Sequence, residues 1–507
     1  MASFQASLYC LPWLLLLFFF FIPSINSSSL TKSSISSLSS RRRIPRLTVH
    51  NNAVDPPRES GHLGSYEVFY YNQTLDHFNY QPQSYITFPQ RYVMNSKYWR
   101  GGNASAPIFA YMGEEASMDS DLAAIGFLSE NAAQFGALIV FIEHRFYGES
   151  VPFVSREEAL TNATLRGYFN SAQALADYAE ILLHIKKELS ADTSPIIVIG
   201  GSYGGMLAAW FRLKYPHIAL GALASSAPVL YLDGLTPQEA YFSAVTKDFR
   251  EASESCYNTI KQSWAEIERV SNLENGLSIL QKKFRLCKPL KEAWELRSYL
   301  ETMYIVAAQY DRPPKYPVDV ICKGIDSAPS SSYILDKIFL GFVAYYGKAS
   351  CYSLGSSFSD ETLQGWDWQV CSDIVIQMGI DRNDTMFALN PFDENLNDEF
   401  CMNKFGIIPR RHWITTYYGG QHIKEVLKKF GSNIIFSNGL RDPYSSGGIL
   451  EDISDSIVAV KSNKGSHCLD IAPAREYDPE WLILQRKTEV EIISKWIIDY
   501  YEDLLEN

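Results

Sequence analysis

The stretch IIVIGGSYGGMLAAWF, residues 196–211, runs from a β-branched apolar block through two glycine pairs that flank Ser202 and Tyr203, and then into a string of helix formers. That order reads as strand, sharp turn, helix. In such a setting the pattern Gly200-x-Ser202-x-Gly204 is a nucleophile elbow, in which glycines relieve crowding around a strained turn that lifts the serine oxygen above the sheet edge. The alternative is an ordinary tight turn with an incidental serine, because the bare pattern is common; with a strand before it and a helix after, it is much rarer. The choice turns on whether the rest of the chain supplies partners for Ser202.

Outward from the elbow, the apolar runs APIFAYMG (106–113), ALIVFIEHR (137–145) and GALASSAPV (221–229) alternate with helical stretches such as SAQALADYAEILLHIKKEL (171–189). Near-continuous apolar strands separated by helices predict a mostly parallel sheet covered on both faces. From about residue 230 to 410 the texture changes to amphipathic helical segments with cysteines, aromatics and polar loops. Strand patterns then resume with NIIFSNG (433–439) and SIVAVKS (456–462), and EVEIISKWIIDYYEDLL (489–505) closes the chain as a helix. The predicted architecture is an α/β-hydrolase fold in two parts, 66–229 and 411–507, with an inserted, mostly helical cap at 230–410.

In that arrangement an acid follows a late strand and a histidine follows the next. Asp442 stands after NIIFSNG, in LRDPY, and His467 stands after SIVAVKS, in NKGSHCLD. Asp442 also suits a turn before Pro443, and Asp470 is the rival acid, but it lies close to His467 along the chain. His412, His422 and His144 compete with His467, which alone follows the last strand; His144, in EHRFYGES, reads as a structural or rim residue. The expected chemistry is acyl transfer through Ser202, with His467 as base and Asp442 as its orienter. Oxyanion donors are expected from the backbone N–H of Tyr203 and from the GEEA loop at Glu114.

The chain has 507 residues, 46% of them hydrophobic, enough for a large core and more than one domain. A net charge of −12 argues against nucleic acid or an anionic membrane as the main partner. The apolar run LYCLPWLLLLFFFFI (8–22) fits the hydrophobic region of a secretory signal over residues 1–25, with an uncleaved anchor as the alternative, and 26–65 reads as a Ser/Arg-rich leader. No other segment approaches the length of a membrane span, so no stable membrane association is expected once the signal is removed. On a secretory chain the sequons at Asn72, Asn103, Asn162 and Asn383 mark surface loops open to glycosylation, with one more at Asn26. Of eight cysteines, Cys10 lies in the signal; the remaining seven allow up to three disulfides and leave one thiol over. No zinc spacing occurs and no cofactor is expected.

EHRFYGES, QALADYA, GGSYGGMLAAWFRLKYPH, FSNGLRDPYSSGG and GSHCLD, in this order from about Tyr66 onward, resemble the secretory serine peptidases of the lysosomal Pro-X carboxypeptidase and dipeptidyl peptidase II type. The resemblance implies hydrolysis after proline near a chain end, the triad Ser202, Asp442 and His467, a helical insertion capping the site, and a secreted or vacuolar/lysosomal destination. It implies disulfides Cys256–Cys322, Cys287–Cys351 and Cys371–Cys401, leaving Cys468 free. It places Met206, Ile376 and Tyr444 along a proline pocket, although each also suits the core. The chain departs from the family where GNEG reads GEEA, DPW reads DPY and HHLDLR reads HCLDIA. These changes leave the triad intact and bear on the pocket. Carboxyl-end recognition needs a cation near the pocket and amino-end recognition an acid, so Glu114 or Glu115 tilts the chain toward the amino end, while the plain resemblance favours Pro-X carboxypeptidase. A dipeptidyl aminopeptidase and a carboxylesterase on the same fold are the alternatives, and a homodimer is compatible with the pattern.

Overall fold

The computed structural model describes residues 65–506 apart from Val154 and residues 356–359, so the expected signal, the leader and Asn26 lie outside the described residues. Eight strands form one sheet in the order β1-β2-β4-β3-β5-β6-β7-β8. From β3 onward the neighbours are parallel: β3 (Ile108–Met112), β4 (Leu138–Ile142), β5 (Ile196–Gly201), β6 (Gly221–Ser225), β7 (Ile434–Gly439) and β8 (Ile457–Ser462). The predicted α/β-hydrolase fold is the observed one. Two antiparallel strands, β1 (Glu67–Thr74) and β2 (Thr87–Asn95), extend the sheet beyond the expected runs. Their sequences hide them, because Pro89, Gln90 and Arg91 interrupt the apolar pattern of β2 and β1 is an edge strand with an exposed face.

Strand pleating splits the side chains between two cores. Ile108, Ala110, Met112, Val140, Ile142 and Val198 face the helices Ser171–Glu188 and Ser202–Lys214. Phe109, Tyr111, Ile139, Phe141, Ile197 and Ile199 face the helix Phe127–Phe135 and the C-terminal helix Glu480–Glu506. Both faces being covered explains why β3, β4 and β5 are apolar at every position. At the exit of β4, Arg145 is fully buried, grips both oxygens of Asp177 and donates to the carbonyls of Leu75, Tyr168 and Thr74. That knot accounts for most of the EHRFYGES and QALADYA motifs: they fix the loop beside the elbow.

Between β6 and β7 the chain is helical from Ala240–Ala252 to Ile423–Phe430, relieved by the isolated bridges Leu286–Tyr352 and Ile380–Asn390. Its apolar residues, Trp264, Tyr304 and Phe342 among them, continue the core on the first face of the sheet. Three disulfides, Cys256–Cys322, Cys287–Cys351 and Cys371–Cys401, lie in this stretch, and Cys468 is free and buried. Asn72, Asn103, Asn162 and Asn383 are all exposed. Among the described residues no helix is long and apolar enough to cross a membrane.

Candidate active site

Ser202 opens the helix Ser202–Lys214 at φ 54°, in the left-handed region that a residue with a Cβ occupies only when its surroundings hold it there. A Cβ on Gly200 would stand 2.1 Å from the Gly204 carbonyl oxygen, and one on Gly204 would stand 2.8 Å from the Met112 oxygen. Glycine at both positions is what lets the turn close. The first N–H groups of this helix, Tyr203 among them, have no acceptor within the helix and carry its positive pole.

The acid and the histidine arrive from the next strands. Asp442 follows β7, where its Oδ1 accepts from the Tyr444 N–H at 3.0 Å and its Oδ2 meets His467 Nδ1 at 2.6 Å. Pairing Nδ1 with a carboxylate leaves Nε2 as the basic nitrogen of the neutral ring. Gly201 lies opposite Ser225 across the β5–β6 ladder, and the next residue, Ser226, accepts the Cys468 N–H on its Oγ at 2.9 Å. The histidine loop is thereby fixed one strand away from the elbow. Ser202 Oγ and His467 Nε2 are both buried and, among the described residues, neither has a hydrogen-bond partner. Buried polar atoms are rarely left so, because each costs about 1–3 kcal/mol. Nucleophile–base contacts are often loose before substrate arrives.

The helical segment supplies the other wall. The His467 N–H donates to the Gln309 carbonyl at 2.9 Å, and the rings of Tyr310 and Tyr444 stand 5.9 Å and 5.7 Å from the imidazole. Tyr241 donates to Gln309 Oε1 at 2.9 Å and packs 4.8 Å from Tyr444. Burial holds the Tyr241, Tyr310 and Tyr444 phenols well above their ordinary range, so they are neutral. Glu114 and Glu115 are buried after β3, and the Glu114 side chain lies beside the elbow, its Cβ 3.5 Å from where a Cβ on Gly204 would stand.

The remaining sequence candidates are placed as follows. Met206 and Ile376 are buried in the same cluster as Tyr203, Tyr241, Tyr310 and Tyr444, and of these expected pocket residues it is Tyr444 whose ring meets the histidine. Asp470 accepts from Ser225 Oγ at 2.6 Å, so the rival acid serves the sheet while Asp442 serves the histidine. His144 is fully buried, with Nδ1 2.6 Å from the Arg145 carbonyl and Nε2 3.1 Å from the Tyr203 hydroxyl; burial pushes it down to about 4, and it braces the residue after Ser202 as a neutral ring. His412 is spent on Asp233 at the surface. Gln309, Tyr310, Tyr241 and Ser226 were not found from sequence, since each reaches the site from an element with no local motif.

A sheet of this order, with a strained serine elbow after β5 and an acid–histidine pair after β7 and β8, is the arrangement of α/β-hydrolase proteins. Within that class the chain belongs to the serine carboxypeptidase S28 family, whose pattern matches residues 73–489. It is 35% identical over 479 residues to the lysosomal Pro-X carboxypeptidase of Mus musculus, covering 91% of this chain and 95% of that one. To the Homo sapiens protein of the same description it is 36% identical over 457 residues, covering 86% and 90%. Thymus-specific serine protease of Homo sapiens is 28% identical over 463 residues, covering 85% and 87%. The chain is a serine-type peptidase acting on peptides, and its disulfides fit an oxidising, secretory-type compartment.

Proposed function

We propose that this chain is a Pro-X carboxypeptidase of the secretory route, carried there by the signal at 1–25, which releases the residue after a penultimate proline by way of an acyl-enzyme on Ser202. The reading rests on one observation above all: among the described residues, Ser202 Oγ at the elbow and His467 Nε2 on the ring that Asp442 orients are buried polar atoms without hydrogen-bond partners. His467 Nε2 takes the Ser202 proton as Oγ attacks the prolyl carbonyl carbon. The tetrahedral oxyanion is held by the Tyr203 and Glu114 N–H groups, and the protonated His467 then gives its proton to the leaving amine. Water, deprotonated by the same nitrogen, releases the peptide acid. Residues 230–410 act as the cap over this edge, with Met206, Ile376 and Tyr444 toward the proline ring.

A second reading, removal of an amino-terminal dipeptide, is favoured by the buried pair Glu114 and Glu115, because carboxylates suit an α-amino group. Incubating purified protein with an amino-blocked peptide ending Pro-Phe and with a free-amine X-Pro fluorogenic substrate separates them. Release of Phe from the first is expected. Cleavage of the second alone overturns the carboxypeptidase reading, and cleavage of neither, with hydrolysis of a simple ester, makes the protein a carboxylesterase. A homodimer belongs to the same proposal, checked by sedimentation.

A further inference from the structure

Three consecutive residues at the end of the helix Ala293–Gln309 reach the acid–histidine pair, two of them directly and the third through the neighbour of Asp442. The Gln309 carbonyl takes the His467 N–H, and the Tyr310 ring stands edge-on to the imidazole. The third residue, Asp311, receives Arg441, the immediate neighbour of Asp442: its Oδ2 accepts from Arg441 Nε at 3.1 Å and lies 2.9 Å from Nη2. Arg441 is also tied at its backbone, because its N–H donates to the Gly465 carbonyl at 3.0 Å and so binds the Asp442 loop to the loop that carries His467. Asp311 is fixed in turn by the Val318 N–H, which donates to Oδ1 at 3.0 Å. Around the guanidinium stand Asp248 and Glu251, each 3.8 Å away, with Lys247, Asp319 and Tyr316 contributing to the local field.

A partly buried ion pair of this kind adds little stability over an apolar pair of the same size; what it adds is directional geometry, here a guanidinium that donates through Nε to Asp311 Oδ2 with Nη2 close to the same oxygen. We propose that Arg441, through Asp311, is a positioning residue that clasps the helical segment onto the acid–histidine pair and sets the angle at which His467 meets Ser202. The inference rests on the catalytic reading of that pair. It predicts that uncoupling the clasp slows the chemistry while leaving substrate capture and the fold in place.

The test compares the full chain with Arg441→Gln, Arg441→Lys, Asp311→Asn and the double variant Arg441→Gln/Asp311→Asn. The readout is the rate at which a fluorophosphonate probe phosphonylates Ser202, a reaction that needs the activated serine but no peptide. It is run at about pH 7, above the value of about 6 to which burial pushes the Asp311 carboxyl, so that the pair is charged. Each neutral single variant is expected to label about tenfold or more slowly, as small misplacements of reacting groups do. The double variant is expected to be no slower than the worse single, and Arg441→Lys to recover part of the rate. Peptide kcat should fall with KM unchanged; the unfolding midpoint of the double variant should stay close to the native one, while each neutral single leaves one charge unpaired and its rate is read per folded molecule. Labelling within about twofold of native in both neutral singles, additive losses in the double, or a loss matched by an equal fall in folded fraction overturns the clasp. A native protein that labels but cuts no post-proline peptide overturns the substrate class and leaves the clasp comparison intact. A native protein that does not label overturns the serine reading, and the clasp with it.

Discussion

The sheet and the helical stretch between β6 and β7 meet at one site but build their shares of it by different means. On the sheet side each chemical group sits at a strand end, and its placement is local: Ser202 by the glycines around it, Asp442 by its own bond to the Tyr444 N–H. On the helical side the contributors are a carbonyl, two rings and a carboxylate carried at the ends of long helices. They are held by disulfides and by aromatic packing such as Phe249 and Trp264 against Tyr304. On the proposed chemistry, the difference teaches that the sheet carries the bond-making atoms while the helices carry position. Loss of a sheet-side group should therefore abolish chemistry without loosening the fold, and loss of the disulfides or aromatic packing that hold the helices should loosen the fold before it removes chemistry.

The sharpest break on the sheet side is Ser202→Ala. Turnover should fall by about 10⁴-fold or more, as when a triad nucleophile is removed, while the unfolding midpoint hardly moves, because Ala meets the same left-handed backbone demand as Ser. Paired measurements of turnover and thermal unfolding check this, and residual activity above a few per cent rejects Ser202 as the nucleophile. The matching break on the helical side is the double substitution Cys256→Ala/Cys322→Ala. That bridge joins residues 66 apart, and its loss should lower stability by about 2–5 kcal/mol. Amide exchange should then rise in the helices Glu254–Ser271 and Pro317–Asp326 while β5 and β7 stay protected. Equal loosening of sheet and helices would dissolve the distinction.

This contrast also decides what could be read from the sequence. β3 to β8, the elbow, Asp442 and His467 were legible because β3, β4 and β5, buried on both faces, are apolar at every position, because β6, β7 and β8 open on apolar runs, and because strand ends are marked by glycine and proline. β1 and β2 were not, since polar residues and Pro89 break their pattern. Asp442 could be preferred over Asp470 by strand order, but only the bond to His467 shows which carboxylate the ring uses. Gln309 and Tyr310 left no signal: they reach the histidine across more than 150 residues of chain, and a helix end looks the same whether it faces solvent or a catalytic loop. Arg441 was in plain view beside Asp442, but its meaning lies in a partner 130 positions away.

A smaller effect sharpens the comparison through pH. Burial, opposed by Arg441, pushes Asp248 on the helical side up to about 8 and Asp311 up to about 6; on the sheet side burial raises Asp470 and, with the charge of Asp470 added, Glu489 well above its ordinary value. A carboxyl with a raised folded-state value holds its proton after the unfolded chain has lost it. Across the window between the two values the folded state binds more protons, so stability falls as pH rises. For Asp311 the window runs from its ordinary 3.8 to about 6, and for Asp248 from 3.8 to about 8. The unfolding midpoint should thus be lower at about pH 8 than at about pH 5, and Asp248→Asn should remove a part of that drop on the order of 1–3 kcal/mol. An unchanged slope in Asp248→Asn would assign the pH dependence to the sheet-side pair.

The smallest expected effect concerns Cys468, which stands next to His467 and invites a reading as a second nucleophile or a redox contact. Its surroundings argue otherwise. The side chain is fully buried in the second core with Leu223, Ile435 and Ile471, and its sulfur lies 3.9 Å from the Ser225 carbonyl. Burial, with the charge of Asp470 next, raises the thiol well above its ordinary value, so almost no reactive thiolate exists at neutral pH. What the site takes from this residue is its backbone: a left-handed φ of 51° and the N–H that donates to Ser226 Oγ, neither of which needs the sulfur. Cys468→Ala should therefore cost about 1 kcal/mol for the lost apolar volume and leave kcat/KM within about threefold. A maleimide should leave the native protein unlabelled and add one label once the protein is unfolded without reductant. Rapid labelling of the folded protein, or a tenfold loss of activity in Cys468→Ala at unchanged stability, would move the sulfur from the core of the sheet into the chemistry of the site.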